Sequence, residues 1–400
     1  MKDIFPGYSK KSDAEIKTIW ENGIICFDAN VLLNLYRYSN DTRKALLDLV
    51  KKFSSQIYLP HQSALEYNRN RYEVIADQEK AYKEFTSKIG QIESDLQSTS
   101  KPPFLSTKLH TSLKKVFKEV NSEVEKSIKK YCDFLQDDTI YTDLTSIFGN
   151  KITSEFTEEE LKKIYEEGEK RYEKKIPPGF EDEKTKQGIR KYGDLVLWKQ
   201  IIAIGKKENK PIILITDERK KDWWWKIKDG RNMGPRQELV EEMKKEAKVD
   251  FHMYSSERFL SYGLDHLKER VNRKALEEIK EIKRAEIEEL ENAKQRHFEQ
   301  IKRREERVKR EQTRNDYLDE KIAVTKHKID RLKRKQNHLA DQPFDRLNNE
   351  EELVHLTIDL NSLQERLEDL LKKREYNEMK QNSLFRKFYR DFNKDEDEKN

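Results

Sequence analysis

Four acidic residues stand where short apolar runs end or where helices begin. Asp28 directly follows IICF (24–27) and precedes ANVLLNLY, which starts a helix, while Asp217 directly follows PIILIT (211–216). Asp194 opens DLVLWKQII after Gly193, at an expected helix N-cap, and Glu66 falls in the first turns of a helix after IYLPHQS. In open α/β sheets ligands bind outside the carboxyl ends of the strands, so carboxylates from distant parts of the chain can converge at one sheet edge. Clustered carboxylates repel one another, and a divalent cation is the usual remedy. Hard oxygen donors favour Mg²⁺ or Mn²⁺ over zinc. Such an ion lowers the pKa of a bound water and neutralises charge building on a phosphoryl group. Each acid also has a plainer reading: Asp194 as an N-cap, Asp217 as a turn acid before Glu218 and Arg219, Glu66 as a solvated helix residue. Asp28, flanked by IICF and VLLNL, is the hardest to set aside, because acids are rarely buried without a partner.

These acids need elements to hold them. IICF (24–27), IYL (57–59), PIILIT (211–216) and VDFHMY (249–254) read as strands. The second and third are too far apart for a single connection. The intervening 63–208 is mostly Lys/Glu-rich and helical by pattern, broken at KPPF (101–104) and IPPGF (176–180). Apolar runs separated by helices argue for a parallel sheet covered on both faces. The fold class is therefore α/β, a parallel sheet flanked by helices, with a long helical insertion at about 73–190 and an all-α coiled-coil region after it.

The chain changes character near Gly263. All 12 glycines lie between Gly7 and Gly263, and Pro343 is the one proline after Pro235. Residues 265–400 hold 34 Lys and Arg against 33 Asp and Glu, so the segment reads as continuous charged helix. Leu318, Ile322, Thr325, Ile329, Leu332, Gln336 and Leu339 form one heptad seam, and Leu353, Leu356, Leu360, Leu363, Leu367 and Leu370 another. With turn formers at 341–349 between them, a helical hairpin is the economical reading and a parallel homodimer its rival. The expected divisions are 1–263, then coiled-coil helices over 264–390 with a turn near 341–349, then a disordered acidic tail at 391–400. Within the coiled-coil part, 268–316 has a thin seam and reads as a charged arm.

Composition narrows the class further. Charged residues are 40% of the 400, hydrophobics 34%, and no apolar run approaches the ~20 residues a membrane helix needs. The first residues have no apolar stretch of the secretory kind, and two cysteines, Cys26 and Cys132, cannot build a disulfide framework. A reduced, cytoplasmic protein is expected. The net charge of +5 is too mild to argue for nucleic acid by itself. No glycine-rich phosphate loop, GxSxG or CxxC pair is found, which excludes the common NTPase and serine-hydrolase patterns. WWW (223–225) reads as core packing or as a stacking platform for unpaired bases.

ICFDANVLLNLY (25–36), LPHQSALEYNRNR (59–71), IPPGFEDEK (176–184), KYGDLVLWKQI (191–201) and ITDERKKDWWW (215–225), extended by GPRQELVEEM (234–243) and MYSSERFL (253–260), together resemble the PIN-like domain family over roughly 1–263. The resemblance implies a metal-dependent nuclease of single-stranded RNA, and sometimes DNA, that leaves a 5′-phosphate and a 3′-hydroxyl. Carried over, it makes Asp28, Glu66, Asp194 and Asp217 the catalytic, Mg²⁺- or Mn²⁺-binding acids, with Asp222 a further acid and Asn30 a polar supporter of Asp28. Glu218 competes with Asp217, since many compact members put the last acid two residues after the Thr. Asn30, Arg69, Arg71, Arg219 and Lys220 are candidate substrate contacts, and His61 is structural or substrate-contacting. A role in bacterial, including antiviral, defence or toxin-type control follows at family level only. Protein partners or self-association through the coiled coil are expected, and no membrane. The alternative is a non-catalytic coiled-coil scaffold or nucleic-acid-binding module in which the acids are caps.

Overall fold

The computed structural model describes the chain except residues 2–3, 98–104, 185, 187, 271, 342–345 and 398–400, and the side chains of 97, 184, 346–349 and 384–397. It divides into two compact units, Met1–Ala285 and Glu286–Asn400. The first contains strands β1 (Ile24–Phe27), β2 (Ile57–Tyr58), β3 (Ile212–Ile215), β4 (Trp224–Lys226), β5 (Asn232–Pro235) and β6 (Phe251–Tyr254). Its helices are α1 (Asp13–Asn22), α2 (Ala29–Leu33), α3 (Asn40–Lys52), α4 (His61–Gln97), α5 (Thr107–Gln136), α6 (Thr139–Phe148), α7 (Glu158–Glu173), α8 (Gly193–Glu208), α9 (Gln237–Ala247) and α10 (Ser256–His266).

The four apolar runs are the four strands of one parallel sheet, ordered β2-β1-β3-β6. Ile25, Phe27, Ile213 and Ile215 face one apolar layer, and Ile24, Cys26, Ile212 and Leu214 face the other. With both faces covered, the strands have no polar side to show, which is why they read as unbroken hydrophobic runs. The chain leaves β1 toward β2 on one side and later returns to β3 on the other. The ends of β1 and β3 therefore flank the point where the strand order reverses, the usual place for a site in such sheets.

The expected insertion is more than an appendage. α4 and α5 pack along each other, whereas α6 sends Ile140, Leu144 and Phe148 into one core layer and α7 sends Ile164 into the other. Ile152 pairs in parallel with Leu59 beside β2. The KPPF break lies outside the described residues.

The division of the structure also falls later than the last glycine. Helix α11 (Arg273–Ala340) buries Ala275 and Ile279 in the core of the first unit, so 264–285 belongs there. Absence of glycine marks where continuous helix can start, not where packing on the sheet stops.

The second unit comprises the rest of α11 and α12 (Arg346–Asp397). Lys335 meets Glu352 at 2.7 Å, Asp319 meets Arg374 at 2.8 Å and Glu311 meets Lys380 at 2.6 Å, an antiparallel order within one chain. Leu318, Ile322, Thr325, Ile329, Leu356 and Leu360 are buried along the seam. The expected turn falls partly on 342–345, outside the described residues. The tail expected to be disordered continues α12 as far as Asp397, since no Gly or Pro interrupts it, and 398–400 lie outside the described residues. Among the described residues no helix is long and apolar enough to cross a membrane.

Candidate active site

Asp28 ends β1 and precedes the first turn of α2. It makes no side-chain cap bond to that helix. Instead its Oδ2 accepts from Asn30 Nδ2 and from Thr216 Oγ1, both at 2.7 Å. Asn30 in turn accepts the Asp217 amide at 2.9 Å, so one amide side chain fastens the end of β1 to the end of β3. The Asp28 carboxyl is pushed up to about 7, first by burial, then by the charge of Glu66 and, more weakly, Asp194 and Glu218. The Thr216 hydroxyl opposes that rise.

Glu66 and Asp194 are its neighbours from elsewhere in the chain. Glu66 stands in α4, where Gln62 Nε2 donates to its Oε1 at 2.6 Å. Burial and the charge of Asp194 raise its pKa, while Lys186 and Lys220 oppose the rise. Asp194 is the second residue of α8; the N-cap is Tyr192, which corrects the expected N-cap assignment. The Asp194 Oδ2 accepts from Lys220 Nζ and Trp223 Nε1, each at 3.2 Å. Burial raises its pKa, with Asp182 and Glu218 adding to the rise and Lys220 opposing it. A Cβ at Gly193 would stand 2.9 Å from Glu66 Oε1, and one at Gly179 would meet Tyr172 Oη at 2.2 Å and Asp194 Cβ at 3.2 Å. The glycines of KYGD and PPGF therefore let the acids and their covering loop approach closely.

The acids after β3 part company. Asp217 turns away from this group: its oxygens accept from Ser256 N and Oγ, from Asn34 Nδ2 at 3.0 Å and from Lys283 Nζ at 2.5 Å. Glu218 turns toward it, its Oε2 standing 3.4 Å from Lys220 Nζ and its charge felt by both Asp28 and Asp194. Asp222 lies behind the group, within reach of the charges of Asp194 and Lys220. It is fully buried and accepts the amides of Gly179 at 2.8 Å and Glu181 at 3.2 Å, so it fastens the covering loop. Burial pushes its carboxyl up to about 6.

The basic candidates are also redistributed. Lys220 lies among Asp182, Asp194 and Glu218. Arg71 binds Asp138 at 3.1 Å and lies over the rings of Tyr72 and Tyr141, a structural clamp that leaves little of it for substrate. Arg69 is exposed on α4. Arg219 lines a cleft of about 230 Å³ with Glu218, Arg258 and Lys283. His61 opens α4, its amide held by Thr153 Oγ1. Trp223 and Trp224 are buried, with their indole N–H groups on Asp194 and the Glu218 carbonyl, so they fix the acid loop rather than offer a platform. Asp182, Lys186, Gln62 and Ser256 join the site without a signal of their own in the sequence. Asp182 was legible only as part of the acidic run FEDEK.

Among the described residues no three His, Cys, Asp or Glu side chains form a ready cage for a metal ion. The donor set nonetheless fits one in kind: the carboxylates come from separate segments, Asp28 buried and Glu66 and Asp194 partly covered, and the charges of Glu66 and Asp194 raise the pKa of Asp28 while that of Asp194 raises the pKa of Glu66. These acids lie where the strand order reverses, the usual place for a ligand in an open α/β sheet. Residues 24–239, more than half of the chain, match the family of the PIN-like domain, and the chain belongs to that family. Membership places it with the nuclease superfamily, whose PIN domains typically use divalent metals. No curated protein and no solved structure matches the chain.

Proposed function

We propose that the protein is a metal-dependent endonuclease that hydrolyses phosphodiester bonds of single-stranded nucleic acid, RNA before DNA. Asp28, Glu66 and Asp194 hold Mg²⁺ or Mn²⁺ in this reading, and Glu218 replaces Asp217 as the fourth acid. The observation that carries it is the convergence of carboxylates from the end of β1, from α4 and from α8, the charges of Glu66 and Asp194 raising the pKa of Asp28 and that of Asp194 raising the pKa of Glu66. A bound divalent cation supplies Lewis acidity and neutralises charge developing on the phosphoryl oxygens. The protein does the rest. Asn30 and Thr216 aim one Asp28 oxygen, Gln62 aims Glu66, and the buried Trp223 indole holds Asp194, so the acids are oriented before substrate arrives. In this reading Arg219 and the exposed Arg69 contact the phosphate backbone, which basic side chains attract without regard to sequence.

A place in the cytoplasm, and in bacterial defence or toxin-type control, is proposed on the family resemblance and the low cysteine content. The second unit is assigned to partner recognition or self-association on the strength of its long charged helices. The rival reading, a scaffold without turnover, draws on the lack of a ready cation cage among the described residues. Cleavage of end-labelled single-stranded RNA and DNA with Mn²⁺, wild type beside Asp28→Asn, separates the two. Metal-dependent cutting that the variant loses supports the nuclease; no cutting of either strand and no Mn²⁺ binding supports the scaffold.

A further inference from the structure

Lys220 stands among three carboxylates drawn from three segments. Its Nζ lies 2.6 Å from Asp182 Oδ1 in the covering loop, 3.2 Å from Asp194 Oδ2 in α8 and 3.4 Å from Glu218 Oε2 after β3. A lysine on an open surface gains little from one acid and is screened by water and salt. This ammonium is three-quarters covered, and the Asp182 side chain beneath it is 3% exposed. Asp182 is also held by Lys186 at 2.6 Å, whereas among the described residues Lys220 is the cation within ion-pair distance of Asp194 and Glu218.

Geometry and charge give this contact a specific meaning. One ammonium bridging several carboxylates makes the kind of contact a bound cation makes, with one positive charge where a divalent ion carries two. Lysine suits the task because it is a compact point charge on a flexible four-carbon stem, able to enter and leave without moving the backbone. An arginine fork would lock onto one carboxylate in a fixed plane. The pair formed by Asp217 and Lys283 differs in this respect. There Ser256 and Asn34 fill the remaining acceptor positions, and nothing about the carboxylate is left for an ion.

We propose that Lys220 is the resident counter-ion of the acid cluster: it holds Asp194 and Glu218 together while no divalent cation is bound, and it must withdraw for the cation to load. The inference rests on the metal-dependent reading of the site given above. It accounts for the absence of a ready cage among the described residues, because the carboxylates are gathered around an ammonium instead of an ion. It also gives the free enzyme a built-in brake, since loading requires an ion able to compete with a tethered charge.

The test is Mn²⁺ titration calorimetry on the full chain, freed of metal with chelator, for wild type, Lys220→Met and Lys220→Gln. Both variants should bind Mn²⁺ at least tenfold more tightly than wild type, and their metal-free forms should melt several degrees lower, with Mn²⁺ restoring most of the loss. Wild type that binds Mn²⁺ beside variants that bind it equally or less tightly overturns the inference and leaves the metal site standing. No Mn²⁺ binding by any of the three removes the metal reading and the inference with it. If the variants do not fold, amine acetylation of the wild type read by mass spectrometry decides. Lys220 should be labelled several-fold faster with Mn²⁺ bound than without, while the rate at an exposed lysine such as Lys228 stays constant. An unchanged rate at Lys220 with Mn²⁺ bound refutes the exchange.

Discussion

β1 and β3 lie side by side with Phe27 opposite Ile215; Asp28 directly follows β1, and Asp217 follows β3 after Thr216. The two carboxylates have opposite circumstances. Asp217 is satisfied by Ser256, Asn34 and Lys283, and so ties the end of β3 to α10 and to the first turns of α11. Asp28 has two neutral donors on one oxygen and three acids around it, and burial pushes it up to about 7. The first arrangement holds the fold together, while the second stores unfavourable charge that a cation can relieve. Position in a strand-then-acid pattern therefore does not settle a role; the partners that reach the carboxylate do.

The comparison can be broken most easily through activity. Asp28→Asn should lower nuclease turnover on the order of 10³-fold or more while the chain stays folded. Single-turnover cleavage with circular dichroism as the control would check this, and an active variant would remove Asp28 from the site. Asn30→Ala should cost roughly 10–100-fold, because it loosens the acid without deleting it; cleavage rates at saturating Mn²⁺ would show it. Asp217→Asn should do the reverse, keeping activity within a few-fold but losing about 2–3 kcal/mol of stability in urea melts, since Lys283 is left with no carboxylate to match it. Equal loss of activity in Asp28→Asn and Asp217→Asn would erase the distinction.

Asp222 sharpens it through pH. Its folded pKa, about 6, lies above the usual carboxylate value of 3.8, so the folded state keeps the proton longer than the unfolded chain does. Its stabilising contribution is complete below about pH 4, falls as pH rises toward 6 and stays lost above, by up to about 3 kcal/mol. Asp222→Asn should remove that slope and melt above the wild type at pH 7, since an amide oxygen can still accept the Gly179 and Glu181 amides; thermal melts between pH 4 and 8 would show it. The smallest effect is expected where charge is paired in the open. Arg374→Ala in the second unit, facing a half-exposed Asp319, should shift stability by roughly 0.5 kcal/mol or less in a denaturant titration.

The strands were legible because both faces of the sheet are buried, which leaves IICF and PIILIT without polar interruption. Asp28, Glu66 and Asp194 were legible from their places after strands and at helix starts. Other features depend on side-chain direction, which neighbours in space decide. Nothing local distinguishes Asp217 from Glu218; the difference is made by Ser256 and Lys283, 39 and 66 positions downstream. Asp182 hides in an acidic run, and its meaning comes from Lys220. The boundary at Gly263 failed for a related reason, since Ile279 looks like thin seam until the core it enters is known.

In the proposed site Glu218 is the fourth acid and Asp217 belongs to the scaffold. Calorimetric titration with Mn²⁺ of Glu218→Gln beside Asp217→Asn tests this assignment most directly. Glu218→Gln should weaken Mn²⁺ binding by about tenfold or more, and Asp217→Asn should bind it as the wild type does. Binding that survives in Glu218→Gln and fails in Asp217→Asn, with both proteins folded, would contradict it.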